Sequence, residues 1–266
     1  MTAHRVVLRL IGVTAACSVG VVSMASTRLY GKLAPQGHVA REDRIVRRWA
    51  KRMCRILGLN VETRGTPPSG DFLLVCNHLS YVDVIVIMSQ VDARLLSKAE
   101  VKGWPVLGWL ARYAGTLFVD RERRRDLPRV IADIRAMLAL GRGVVFFPEG
   151  TSSPGIELLP FKPSLFEVAA AGELPLATAA LRYATPPGER PAQWSVSWWG
   201  DMEFVPHLLA FLRLPSVDAT LTYGEEHVRG SERKALALAA HDAVHAIFEP
   251  VADELGEDAP TPPVTR

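Results

Sequence analysis

The chain has 266 residues, 48% of them hydrophobic and 22% charged, which is enough apolar material for a sizeable core and shows no disorder signature across the body. No fixed repeat period excludes a solenoid, and three cysteines without C-x-x-C spacing exclude a disulfide scaffold and a structural zinc site and point to a reducing compartment. The net charge of +3 is divided unevenly: twelve Arg and Lys against three acids give residues 1–65 a charge of +9, leaving −6 on the remainder.

A basic end on an acidic body calls for an anionic partner, either nucleic acid or a phospholipid surface. Leu10–Ser26 (LIGVTAACSVGVVSMAS) is uncharged throughout, which decides against nucleic acid. It is at the short limit for crossing a bilayer, which takes about 20 helical residues. A cleaved signal peptide, a short anchor and an interfacial helix all fit it. Asp43–Leu57 then places Ile45, Val46, Trp49, Met53, Ile56 and Leu57 at helical spacing, with Arg and Lys on the other face. That pattern suits a helix in a headgroup layer, or one packed on the body with a solvated basic face. The chain therefore divides into N-terminal membrane-anchoring or interfacial helices (1–58), a main domain (59–250) and a disordered tail rich in Pro and acid (251–266).

After Gly58, short apolar runs alternate with helical patterns. Strands are expected at 59–64, 72–76, 94–97, 116–119, 144–147, 176–181, 194–199 and 217–223. Helices are expected at 79–90, 104–113, 127–140, 164–171 and from a Ser231 cap to about 248. Such alternation implies an α/β fold with a mostly parallel sheet flanked by helices. No nucleophile elbow, phosphate loop, dinucleotide fingerprint or H-E-x-x-H is present.

Three stretches at strand ends carry chemistry, where open α/β sheets place their ligands. In Asn77-His78-Leu79-Ser80-Tyr81-Val82-Asp83, the strand hands His78 to a turn, and Ser80 and Asp83 have capping-box spacing. Asp83 can serve only the helix amides, or it can orient His78 as a general base. In Gly115–Arg121 a strand delivers an arginine, either to grip an anion or to join a solvated charge run. Phe147-Pro148-Glu149-Gly150-Thr151 is a turn whose amides can bind an anion, with Lys162 as an added charge.

Together these stretches resemble the glycerolipid acyltransferase family typified by bacterial 1-acyl-sn-glycerol-3-phosphate acyltransferase, with its N-H-x4-D, G-x-x-F-x-x-R and F-P-E-G-[TS] blocks in order. A fourth block, Leu174–Ala179, departs in having Thr178 where a second proline is usual. The resemblance covers about residues 60–225 and implies transfer of an acyl group from acyl-CoA or acyl carrier protein to a lysolipid hydroxyl. His78 would be the base and Asp83 its partner, with no cofactor or metal. Asn77, Ser80, Arg121, Phe147, Pro148, Glu149, Gly150, Thr151 and Lys162 would bind substrate. The implied partners are a membrane phospholipid surface, the lysolipid and the acyl donor, with no nucleic acid. The implied location is the inner (cytoplasmic) membrane, with the site on the cytoplasmic side. Lysophosphatidate is the first acceptor expected and lyso-ornithine lipid the second, because Trp198–Leu208 resembles members acylating the latter. A catalytically inactive lipid-binding protein is the remaining alternative, and intact His78 and Asp83 argue against it.

Overall fold

The structure is a computed structural model that describes residues 2–33, 37–103, 108, 111–112, 114–119, 127–172 and 174–255. The chain opens with a helical hairpin, α1 (Thr2–Leu33) and α2 (His38–Leu57). The uncharged run thus lies inside a 32-residue helix long and apolar enough to cross a membrane. Small residues four apart let its partner approach closely: Gly12 lies under Ile56 and Gly20 under Trp49, with Ala16 buried between them. Gly58 ends α2 in a left-handed cap (φ 76°), and the Arg9 guanidinium stands where a Cβ would project. Arg9 is buried and donates to the carbonyls of Leu212, Leu214 and Pro215, at 3.2, 2.7 and 3.0 Å. The first half of α1 is therefore tied to the body.

Seven strands follow among the described residues: β1 (Leu59–Arg64), β2 (Leu73–Cys76), β3 (Ala93–Lys98), β4 (Leu117–Val119), β5 (Gly143–Phe146), β6 (Leu176–Ala184) and β7 (Val217–Tyr223). Their order is β1-β7-β6-β2-β5-β3-β4, and every pair is parallel except β6 with β7. The helices of the body include α3 (Asp83–Gln90), α4 (Leu127–Ala139), α5 (Glu167–Gly172), α6 (Ala192–Ser195), α7 (Phe204–Phe211) and α8 (Arg233–His245).

Period-two alternation splits the sheet between two cores. Leu74, Cys76, Val145 and Leu181 face a core shared with Met53, Cys54 and Leu57 of α2 and with α3. Leu73, Val75, Val144 and Phe146 face the other, filled from α4 and α8. The hairpin is also fixed by charge. Asp43 receives Arg94 at 2.6 Å and Arg142 at 2.8 Å, and Glu42 receives Arg142 at 2.8 Å. Both guanidinium groups are almost wholly buried.

Three expectations change. Residues 194–199 form no strand; Pro191 precedes the short α6, and the chain then crosses the end of the sheet, where Trp198 bonds to a loop. The last helix is capped by Glu232, whose carboxylate accepts from the amides of Lys234 and Ala235, rather than by Ser231. The 164–171 helix is a 3-10 turn (Pro163–Leu165) followed by α5. The 104–113 helix falls largely outside the described residues, as do Arg121 and residues 256–266. Residue 251 is held to the body by its amide, 2.7 Å from the Gly155 carbonyl.

Asp43→Ala leaves two buried guanidinium groups short of an acceptor and is expected to lower stability by about 3 kcal/mol, read by urea unfolding in detergent.

Candidate active site

Strand β2 ends at Cys76 and its chain leaves the sheet through Asn77. The buried Asn77 side chain donates from Nδ2 to the Leu181 carbonyl (2.9 Å) and accepts from the Leu181 amide at Oδ1 (2.7 Å). It adds one rung to the β2–β6 ladder and fixes the exit point. His78 comes next, with its side chain 23% exposed and stacked on Phe147, ring centroids 4.2 Å apart and planes 11° apart.

His78 Nδ1 lies 2.7 Å from Asp83 Oδ2. The same oxygen accepts the amides of Leu79 (2.7 Å) and Ser80 (3.0 Å), while Oδ1 accepts the Tyr183 hydroxyl at 2.8 Å. Asp83 is fully buried. Two amides and a hydroxyl donate to it, so it acts as the acceptor toward His78 as well. The imidazole proton therefore sits on Nδ1, and Nε2 carries the lone pair. Asp83 thus binds two loop amides and the His78 ring with the same oxygen. The capping box is half made. Ser80 gives its amide to Asp83, but its buried Oγ has no hydrogen-bond partner, because α3 begins only at Asp83, beyond that hydroxyl.

The loop after β5 grips His78 from the other side. Gly150 closes a turn by donating to the Phe147 carbonyl at 3.2 Å, with φ at 75°, a conformation that glycine adopts without strain. The turn sends the Glu149 side chain inward, where Oε1 accepts the His78 amide at 2.8 Å. Ser153 donates its amide to the His78 carbonyl at 2.9 Å. The His78 peptide is thus held at both its N–H and its C=O. Glu149 Oε2 is buried without a hydrogen-bond partner. Burial, with the nearby Asp83 charge adding to it and the His78 amide opposing it, pushes the Glu149 carboxyl up to about 8.

Pro148 and Gly150 are buried in this turn, Thr151 is half-buried beside it, and the Lys162 amide bonds to the Pro148 carbonyl at 2.8 Å, leaving its side chain exposed. The structure thus gathers Asn77, His78, Ser80, Asp83 and residues 147–151, with Lys162 alongside. Arg121 lies outside the described residues; β4, which leads to it, is separated from β2 by β5 and β3. Phe147 also lines an apolar crevice with Val84, Ile87, Met88 and Leu95.

Two contributors lie outside the three motif blocks. One is Tyr183. The other is the segment crossing the sheet end: Trp198 donates its amide to the Leu79 carbonyl at 2.8 Å, and Ser152 Oγ donates to the Trp198 carbonyl. His207 donates from Nε2 to the Ser197 carbonyl (3.0 Å), so its Nδ1 accepts the Tyr81 hydroxyl (3.2 Å). Burial lowers His207 to about 4, keeping it neutral in this strut. The aromatic-rich Trp198–Leu208 run was a signal for this segment; Tyr183 sits in an ordinary apolar strand and gave none.

A family model described as Acyltransferase matches residues 58–182. A lyso-ornithine lipid O-acyltransferase from Rhizobium meliloti is 36% identical over 72% of this chain and 70% of its own length. The chain belongs to this acyltransferase family. It is also similar to a 1-acyl-sn-glycerol-3-phosphate acyltransferase of Neisseria gonorrhoeae, 29% identical over 74% of this chain and 77% of that protein. The acyltransferase PlsC of Thermotoga maritima shares the fold, with a TM-score of 0.64 at 20% identity over 93% of this chain and 98% of the other. The α/β reading of the sequence therefore holds, and the chain is an acyltransferase.

Glu149 gives this site a pH signature. Its folded-state value lies above that of an unfolded chain, so the folded protein holds a proton that the unfolded chain has lost, and stability falls as pH rises from about 5 to about 8. Glu149→Gln keeps an acceptor for the His78 amide and cannot ionise. Its stability advantage over the parent is expected to grow across that window and level off above it, as measured by denaturant unfolding at stepped pH.

Proposed function

We propose that the protein moves a fatty acyl group from a thioester donor, acyl-CoA or acyl carrier protein, to the hydroxyl of a lysolipid, with His78 as general base. The observation that supports this best is the Nδ1–Asp83 hydrogen bond, which leaves Nε2 basic on a partly exposed ring at the carboxyl end of β2. Nε2 takes the proton of the acceptor hydroxyl as that oxygen attacks the thioester carbonyl. The tetrahedral intermediate expels the thiolate, which recovers the proton from His78, leaving an ester and a free thiol. Asp83 holds the imidazolium in between. No cofactor or metal enters these steps. The turn at 148–151 with the exposed Lys162 suits the anionic group of the acceptor, and Arg121 is a further cation for it by the family motif.

For the acceptor we favour an amino-acid lysolipid of the lyso-ornithine type, on the 36% identity to the Rhizobium protein across most of both chains. Lysophosphatidate is the second reading, supported by the Neisseria relative. Purified protein in detergent, given acyl-CoA and either acceptor, is expected to release thiol with lyso-ornithine lipid; release only with lysophosphatidate reverses the order. His78→Ala is expected to cut either rate by about 100-fold or more without loss of folding, and retained activity removes His78 as base.

The protein associates with membranes through α1, and we place it on the cytoplasmic face of the inner membrane. Leu8, Ile11, Val22 and Leu29 form an exposed apolar stripe, 56%, 61%, 65% and 65% accessible. Arg44, Arg48, Lys51, Arg52 and Arg55 stay exposed on α2 for lipid phosphates. Ile11→Glu with Val22→Glu is expected to reduce co-sedimentation with anionic vesicles several-fold while leaving turnover of detergent-dispersed substrate in place.

A further inference from the structure

We propose that Tyr183, on β6, is a positioning residue that sets the basicity of His78 through Asp83. This rests on the reading of His78 as general base. Strand β6 has nine residues against four in β2, and their pairing ends at Cys76 with Ala179. The Asn77 side chain continues the register to Leu181. Two residues further on, and so on the same face of the strand, Tyr183 stands beside the loop that carries the histidine. Ala219 pairs with it on β7, opposite a ring that is fully buried.

The hydroxyl donates to Asp83 Oδ1 at 2.8 Å, while the other three donors all go to Oδ2. Tyr183 therefore holds the oxygen that the loop's own amides leave alone. Two effects follow. The carboxylate cannot swing about its Cβ–Cγ bond, so Oδ2 stays aimed at Nδ1. The hydroxyl also draws charge toward Oδ1, so the carboxylate holds an imidazolium less tightly than it would without that donor. Burial and the Asp83 charge push the Tyr183 phenol well above its ordinary value, so it remains the donor at every working pH.

Tyr183→Phe removes one oxygen and keeps the ring. Turnover is expected to fall about tenfold with KM unchanged within about twofold, since the contact acts on the base and touches neither substrate. The acidic limb of the pH–rate profile is expected to move upward by about half a unit, because the imidazolium is held more tightly. If the phenylalanine variant does not fold, 3-fluorotyrosine and 3,5-difluorotyrosine at position 183 carry the test. These stronger donors preserve the contact and are expected to move the limb stepwise to lower pH. His78→Ala is assayed in parallel. If it is inactive while the phenylalanine variant keeps both turnover and pH limb, or the fluorinated series leaves the limb in place, Tyr183 merely packs and the inference fails. If His78→Ala retains activity, the general-base reading itself fails, and the role of Tyr183 with it.

Discussion

A carboxylate with no solvent contact has to find its stabilisation inside the protein, and at Asp83 it finds four hydrogen bonds. Those bonds dictate the local architecture. The backbone from Leu79 to Ser80 must curl so that two consecutive amides point at one oxygen, which delays the start of α3 to Asp83 itself. The positive end of α3 then lies at the charge. His78 is the only donor of the four that also reaches the open side. Glu149 is the contrasting case: nearly as buried, it accepts the His78 amide on one oxygen, and burial raises its value to about 8.

The sheet order explains why these groups meet. β2 and β5 are adjacent and parallel, so their carboxyl ends open on the same side, and the loop carrying His78 lies against the loop carrying Glu149. β6 flanks β2 on the other side and overshoots it. Only because β6 is so much longer does a side chain of that strand reach past the end of β2. The segment from Trp198 to His207 then closes over the loop through Trp198 and the Tyr81–His207 contact.

Much of this was readable in the chain. FLLVC, VVFF and the later apolar runs mark strands because a sheet covered on both faces needs continuous hydrophobicity, and the N-H-x4-D and F-P-E-G-T stretches mark the two loops. What could not be read depends on contacts between distant residues. Trp194–Trp199 has strand-like composition, but Pro191 opens a short helix there and the Trp198 amide bonds to the Leu79 carbonyl, so the segment crosses the sheet end instead. Ser231 has the chemistry of a cap, yet Glu232 occupies the position from which a carboxylate reaches two amides. Tyr183 meets Asp83 across 100 positions of sequence. Glu149 reads as a headgroup contact by motif, whereas burial turns it inward to the His78 peptide.

The clamp of Asp43 on Arg94 and Arg142, with Arg9 bound to the 212–215 backbone, ties the helical hairpin to the sheet. In the docking proposed for α1, the loop carrying His78 then has a fixed height and tilt above the lipid. Encounter with a lysolipid becomes a search by lateral diffusion in two dimensions. Turnover in vesicles would follow the mole fraction of acceptor within the leaflet, and diluting that leaflet with inert lipid would slow the enzyme even at constant bulk concentration.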